Sequence, residues 1–390
     1  MRRESRLAGV RPRVLVVRGH QVNPWELRPW EELLDRYDVS YLRTGSALFD
    51  TSLLRLPARP VRTVRDMLPG GRLGDLLTRI PGDRYLNPAR ALRGADIVHS
   101  QELGYWYSAQ AARLKRRLGY RLALTVWETI PFGDTYRNLR TRPYRELVLR
   151  ETDLFLAATE RARAALLLEG APPERIRVAP PGVDLERFAG PPVAGGSQHL
   201  ILSPGRLVWE KGHQDAIRAL AALRDGVVAA PDGATPHLLI VGAGPDEERL
   251  RRYAAELGLS GAVELRRFVP YEEMPGLFAR ASCMVLGSLP RLHWEEQFGM
   301  VLAEAMAASV PILASSSGAI PEVVGPGVPQ FAPGDWLGLA RLLAAGPLSG
   351  PPGQRAEYDP ERVRRFGAAA AGARLAELYE ELLRDRPTRA

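Results

Sequence analysis

Two parallel β-sheets, each layered with helices, are the α/β architecture that this chain of 390 residues predicts. Three observations carry that reading. Short apolar strands alternate with helical stretches along most of the chain, the rhythm of parallel sheets joined by crossover helices. The rhythm breaks once, at Pro180-Pro181-Gly182-Val183-Asp184 and the Pro/Gly run 190–196, and then resumes. The length suits two domains with full cores.

Taken in order, residues 13–19 read as a strand entering a glycine turn, 25–37 as a helix and 39–42 as a strand. Residues 43–94 are rich in Pro, Gly and Arg and give few signals. Strands follow at 95–100, 122–127, 154–159 and 176–179, with helices up to Leu118 and at 161–169. Beyond the break, strands at 199–203, 237–241, 263–265 and 283–287 alternate with helices at 214–224, 246–257 and 274–280. A helix starting near Gly299 leads to the strand Val310-Pro311-Ile312-Leu313-Ala314, and residues 361–384 read as a final helix. The expected domains are 1–190, 191–360 and a terminal helix 361–390 packing back on the first, with a cleft between the sheets. Ligands belong at the carboxyl ends of such strands.

Composition narrows the classes. The single cysteine, Cys283, lies in the apolar run A-S-C-M-V-L, which excludes a disulfide framework and a cysteine zinc site. No apolar stretch approaches the ~18 residues of a membrane span, and the first residues lack a signal core, so a cytoplasmic protein is expected. Residues 1–190 hold 33 Lys+Arg against 22 Asp+Glu, a net of +11; residues 191–390 hold 20 against 23, a net of −3. A basic first half suits an anionic membrane surface at the inner face, a phosphate-bearing acceptor or nucleic acid. An arginine-rich genome composition explains it equally well. Only Lys115 and Lys211 are lysines, which makes Lys211 worth following.

Two stretches carry chemistry. In W-E-E-Q-F-G-M-V-L-A-E, Glu296 and Glu304 stand eight positions apart around Gly299. A helix beginning at that glycine presents free N–H groups, a ready anion site, with Glu304 inside the helix and Glu296 in the loop before it. At 1.5 Å per residue the carboxylates lie roughly 10 Å apart, suited to hydroxyl groups on either side of a diphosphate. The plainer reading is a surface helix with two solvated acids. In S-P-G-R-L-V-W-E-K-G, Gly205 lets the backbone approach a ligand, and Arg206 and Lys211 offer a fork and a point charge to a diphosphate. A solvated basic loop is the alternative. Val241-Gly242-Ala243-Gly244-Pro245 begins like G-x-G-x-x-G, but the sixth residue is Glu247, so a tight strand-to-helix turn is expected.

G-R-L-x-x-x-K-G, V-G-x-G-P and E-Q-F-G-x-x-x-x-E before V-P-I-L-A, with P-P-G-V-D-x-x-x-F and S-G-A-I-P-E, resemble family 4 of the retaining glycosyltransferases, which has the GT-B fold. The likeness is close over 176–384 and holds in outline before that. It implies that Arg206 and Lys211 hold the nucleotide diphosphate and neutralise the leaving group, and that Glu304 takes the ribose hydroxyls. It also implies that Glu296 and the backbone of Phe298, Gly299 and Met300 meet the transferred sugar, with N–H groups of Val301 and Leu302 on the phosphate. Gly19 would meet the sugar phosphate, and Arg267 and Phe268 would flank the base. Departures are Arg267 for a glycine, Pro181 for an asparagine, Ala319 for a second glycine, and Gly19-His20 for two glycines. Trp127-Glu128-Thr129 stands where many relatives carry histidine; Glu128 would orient the acceptor or the sugar, or act as a capping acid.

The expected activity is a hexosyl transfer from a UDP- or GDP-linked sugar to a hydroxyl of a sugar, lipid or metabolite. Retention in this family is thought to use the leaving phosphate as base, with catalysis by positioning and charge stabilisation. No D-x-D triplet or H-x-x-x-H spacing occurs, so no obligatory metal and no cofactor beyond the nucleotide sugar are expected. Tyr105-Trp106-Tyr107, Trp25, Tyr136 and Arg137 could meet an acceptor, though core packing suits at least half of them. Competing readings are a GT-B sugar-nucleotide epimerase, which needs acid–base sets in the cleft, and a phosphorylase, which needs a further lysine. A basic membrane- or nucleic-acid-binding module leaves the second-half motifs unused, so nucleic acid is not the expected partner.

Overall fold

The computed structural model describes residues 11–68, 71, 73–74, 77, 82, 84–133, 141–193, 198–267 and 269–384. The chain forms two compact units, Met1–Val183 with Gly367–Ala390, and Asp184–Phe366.

The first unit holds β1 (Arg13–Val16), β2 (Asp38–Thr44), β3 (Ala58–Val61), β4 (Ile97–Gln101), β5 (Arg121–Val126), β6 (Leu154–Ala157) and β7 (Ile176–Val178). All pair in parallel, in the order β3-β2-β1-β4-β5-β6-β7. Alternation along β1 explains why both faces are apolar. Leu15 and Val17 join one core with Tyr107, Ala109 and Leu122. Val14 and Val16 join the other with Trp30, Leu33, Leu375 and Tyr379. The helix Ala368–Arg384 thus covers one face of the first sheet. Its Tyr379 hydroxyl is fixed by two neighbours. Trp30 Nε1 donates to its Oη at 2.8 Å, and His99 Nδ1 lies 2.6 Å from it. Burial holds that imidazole well below its ordinary pKa, hence neutral.

The second unit holds β8 (His199–Pro204), β9 (Pro236–Val241), β10 (Val263–Arg266), β11 (Cys283–Leu286), β12 (Ile312–Ser315) and β13 (Gln330–Phe331). They too are parallel, in the order β10-β9-β8-β11-β12-β13. Each sheet changes direction of growth once, between β1 and β4 and between β8 and β11. Those are the crevices where open α/β sheets take ligands. Cys283 is fully buried in the second core.

Three expectations change. Residues 25–37 are not one helix: only Arg28–Glu31 is α-helical. Leu27, Trp30 and Leu33 are buried at every third position, and the N–H groups of Leu27, Trp30, Leu33 and Arg36 bond three residues back. That is the period of tight 3₁₀ turns. The final helix is broken into Pro360–Arg365 and Ala368–Arg384. Phe366 turns into the second unit's core against the Phe298 ring (5.2 Å), and Gly367 bridges to Val183. Strands β3 and β13 and the helices Arg142–Glu151 and Trp336–Ala345 add to the expected elements.

Candidate active site

At the carboxyl end of the second sheet, five loops converge in one unit. The loop after β8 is pinned from below by His213, which burial lowers to about pKa 4 and so keeps neutral. Its Nε2–H donates to the Arg206 carbonyl at 3.1 Å, and its Nδ1 accepts from Ser203 Oγ at 2.8 Å. The V-G-A-G-P turn does the same from the side. Gly242 has φ 156°, and a Cβ there would lie 1.8 Å from the Gly205 carbonyl oxygen. Leu207 N donates to Ala243 O at 2.9 Å. These glycines serve the close approach of two backbones, as a tight turn requires.

Lys211 and Glu296 meet across the switch point between β8 and β11. Lys211 Nζ donates to Glu296 Oε2 at 2.7 Å, and Ser288 Oγ donates to the same oxygen at 2.6 Å. Ser288 is itself held, its carbonyl accepting from Ser315 Oγ at 2.6 Å. The Lys211 ammonium also lies 5.0 Å from the Trp294 ring centre. Side-chain exposures of 14% and 8% show that neither partner is a solvated loop residue. Ala319 N donates to Glu296 O at 2.8 Å, so the S-G-A-I-P loop braces this acid's backbone.

Gly299 (φ 78°) caps the helix Met300–Ala307. The N–H groups of Met300 and Val301 open its first turn, where no helix carbonyl precedes them. Leu302 N, expected on the phosphate, donates to Gly299 O at 2.8 Å. Phe298 is buried, its ring edge-on to Phe366. Glu304 lies inside the helix and is 3% exposed. Its Oε1 accepts from Tyr271 Oη at 2.7 Å, while Oε2 has no hydrogen-bond partner among the described residues. Burial pushes its pKa up to about 7, against the opposing effects of the Tyr271 hydrogen bond and the Arg187 charge.

Arg206 is exposed on its loop. Arg267 is exposed too, and its Nε donates to Glu247 Oε2 at 2.8 Å. Phe268, Tyr136 and Arg137 lie outside the described residues. Tyr271, Arg187 and Ser288 are contributors that the sequence did not single out, and Trp294 opens the W-E-E-Q-F-G stretch without having been given a role there. Ser288 alone had a signal, since it stands two residues beyond a buried strand.

In the first unit, Gly19 follows β1 with φ 61°; its N–H donates to Tyr85 Oη at 3.2 Å. Glu128 is half-buried beyond the end of β5. Beside it stands Glu102, another residue not singled out, at φ 58° after β4. Glu102 Oε1 accepts from Trp127 N at 2.8 Å. Burial first, then the Glu128 charge, push the Glu102 carboxyl up to about 8. Of the aromatics, Tyr107 is buried and bonded to Gln101, and Trp106 packs on Tyr144 with the Arg84 guanidinium 4.0 Å from its centre. Among the described residues no group of three His, Cys, Asp or Glu is placed to hold a metal, and no helix is long and apolar enough to cross a membrane.

Comparison with known proteins agrees with this arrangement. Residues 188–345 match the family model described as Glycosyl transferases group 1, and residues 13–187 match Glycosyltransferase Family 4. A D-inositol 3-phosphate glycosyltransferase of Corynebacterium jeikeium is 30% identical over 74% of this chain and 72% of its own length. A GDP-mannose-dependent alpha-(1-6)-phosphatidylinositol monomannoside mannosyltransferase of Mycolicibacterium smegmatis is 32% identical over 56% of this chain and 60% of its own. The solved sucrose-phosphate synthase of Thermosynechococcus elongatus shares the fold, with a TM-score of 0.74 at 19% identity over 96% of this chain and 99% of that one. Two parallel sheets of GT-B type, a family match on each half and a relative alike over most of its length lead to one conclusion: the chain belongs to the family 4 glycosyltransferases and transfers a glycosyl group from a nucleotide sugar.

Proposed function

We propose that this enzyme is a retaining hexosyltransferase that draws on a UDP- or GDP-linked sugar and glycosylates a hydroxyl acceptor. The observation that carries the reading is the group Lys211, Glu296 and Glu304 around the N-terminus of Met300–Ala307. A buried cation and free N–H groups suit a diphosphate, and a buried acid on the same helix suits ribose. The donor role falls to residues 191–360, and the acceptor role to residues 1–190, where Glu102 and Glu128 stand at the carboxyl ends of β4 and β5. In this reading Arg206 and Lys211 neutralise the departing diphosphate, whose own oxygen takes the acceptor proton. Glu296 holds Lys211 in place and meets the sugar's hydroxyls, the backbone from Phe298 to Val301 lines the donor, and Arg267 stands beside its base.

The test is a thermal-shift screen with UDP, GDP and ADP, followed by proton NMR of the product's anomeric coupling. A nucleotide at a hundred times its dissociation constant should stabilise by about 2.7 kcal/mol. Glu304→Ala removes charge-assisted bonds worth roughly 1.5–3 kcal/mol, so affinity should fall about ten- to a hundredfold. An inverted anomer overturns retention, and stabilisation by none of the three nucleotides overturns the donor site.

A lipid acceptor at an anionic membrane surface is the acceptor class that the first unit favours. Leu48, Phe49 and Leu53 after β2, Met67 after β3 and Phe132 after β5 are exposed on loops at the carboxyl end of the first sheet. Arg43, Arg55, Arg62 and Arg65 lie among them. Apolar side chains beside arginines suit headgroups over acyl chains. Phosphatidylcholine vesicles containing phosphatidylglycerol should sediment the enzyme. Raising salt from about 0.1 to about 1 M, which shortens screening from about 10 to about 3 Å, should release it. Equal sedimentation with pure phosphatidylcholine would leave genome composition as the account of the basic half.

A further inference from the structure

We infer that Tyr271 is a positioning residue for the donor's ribose: its hydroxyl occupies Oε1 of Glu304 and leaves Oε2 turned to the two ribose hydroxyls. This rests on the ribose role proposed above for Glu304.

The geometry is built on three elements of the second unit. Tyr271 opens the 3₁₀ turn Tyr271–Glu273. The Arg187 guanidinium lies 4.9 Å from its ring centre on one side, and the Phe188 ring meets it edge-on at 5.8 Å. Phe188 in turn packs on Phe278 at 5.4 Å, so the phenol stands on the core. A ring held by neighbours on two sides has little freedom to swing its hydroxyl away. The 2.7 Å bond to Oε1 therefore fixes the Glu304 carboxylate about its last torsion, which is otherwise broad. Without that bond the acid has one fewer donor, and burial favours its neutral form. A neutral carboxyl can accept one ribose hydroxyl less than a carboxylate.

Tyr271 and Arg187 are the groups that set the charge of Glu304, both lowering its pKa, and Asp184 faces Tyr271. The other charged groups on elements packed against Met300–Ala307 are Glu186, from the turn Leu185–Arg187, Glu322, from Ile320–Val324, and Glu361, Arg362, Arg364 and Arg365, from Pro360–Arg365. Burial, opposed by Tyr271 and Arg187, leaves Glu304 titrating at about 7, so ionisation, and with it ribose recognition, grows as pH rises through that value. Losing the Tyr271 hydroxyl removes a contribution that lowers the pKa, and the rise moves to higher pH.

Calorimetry with UDP and GDP and with their 2′- and 3′-deoxy forms, from about pH 6 to about pH 9, tests this. The ratio of deoxy to ribo dissociation constants is the readout, because titration of the terminal phosphate cancels in it. In the unaltered enzyme the ratio should grow with pH and level off above about 7. In Tyr271→Phe, which keeps the ring packing, the midpoint moves to higher pH, so the ratio should fall severalfold at neutral pH and recover toward about pH 9. Glu304→Gln should show a small ratio at every pH. If Glu304→Gln loses the discrimination and Tyr271→Phe keeps the unaltered profile, the role of Tyr271 is overturned and that of Glu304 stands. If Glu304→Gln keeps the discrimination, the ribose reading itself fails.

Discussion

Lys211→Ala should lower turnover about a hundredfold, a loss near 3 kcal/mol, while nucleoside diphosphate affinity changes far less. Charge on the leaving oxygen grows as the glycosidic bond breaks, so a fixed cation acts most strongly at the transition state. The structure adds a second consequence. Lys211 Nζ is 2.7 Å from Glu296 Oε2 in a largely buried pair. Removing the lysine leaves that carboxylate with Ser288 Oγ as its remaining donor. Breaking a buried pair from one side costs about 3–5 kcal/mol, and the surviving hydroxyl bond places this case at the lower end. Activity and stability must therefore be read separately. The double variant Lys211→Ala with Glu296→Gln removes the orphaned charge and should recover much of the stability in urea unfolding without recovering turnover. Lys211→Arg keeps the charge but replaces a point donor with a planar fork, and should fall between the two. Full turnover in the double variant would show that residue 211 supports Glu296 and does no chemistry.

Alternation of apolar runs and helical stretches was enough to read the two sheets, because parallel strands buried on both faces need continuous apolar sequence. β3 escaped because Ala58-Arg59-Pro60-Val61 is an edge strand without that signal, and β13 because two residues carry no period. The turns at 24–37 share with a helix the spacing of their buried residues; what differs is which carbonyl each N–H takes, and no composition states that. At the site, residue types and spacing indicated a cation after β8, an acid before a helix and a second acid within it. They did not bring Lys211 to Glu296, 85 residues away, since that meeting depends on strand order. Nor did they bring Tyr271 to Glu304, because a tyrosine in Val269-Pro270-Tyr271 looks like any packed aromatic. Glu102 was hidden for a related reason: its role depends on a left-handed backbone that a non-glycine residue seldom adopts.

Gly212→Ala should destabilise the second unit by about 3–4 kcal/mol, far beyond an ordinary glycine substitution. Gly212 sits at φ 71°, ψ 17°, between Lys211 and the helix His213–Arg224. A left-handed backbone alone costs a residue with a Cβ about 1–2 kcal/mol. Here the Cβ would also lie 1.8 Å from the Gly287 carbonyl oxygen, with the Gly287 carbonyl carbon at 2.5 Å. Both are backbone atoms, so no side chain can rotate away and one of the two loops must move. Those loops, after β8 and β11, are the ones that place Lys211 and Ser288 on Glu296, so turnover should fall along with stability. Gly226 provides the control. It has the same φ of 71°, with nothing within 4 Å of its would-be Cβ. Gly226→Ala should therefore cost only about 1 kcal/mol and leave turnover unchanged. Urea unfolding of the two variants side by side separates backbone strain from the loop contact. An equal loss in both would mean that the β8 and β11 loops tolerate separation, and that the approach of Gly212 to Gly287 does not hold Lys211 in place.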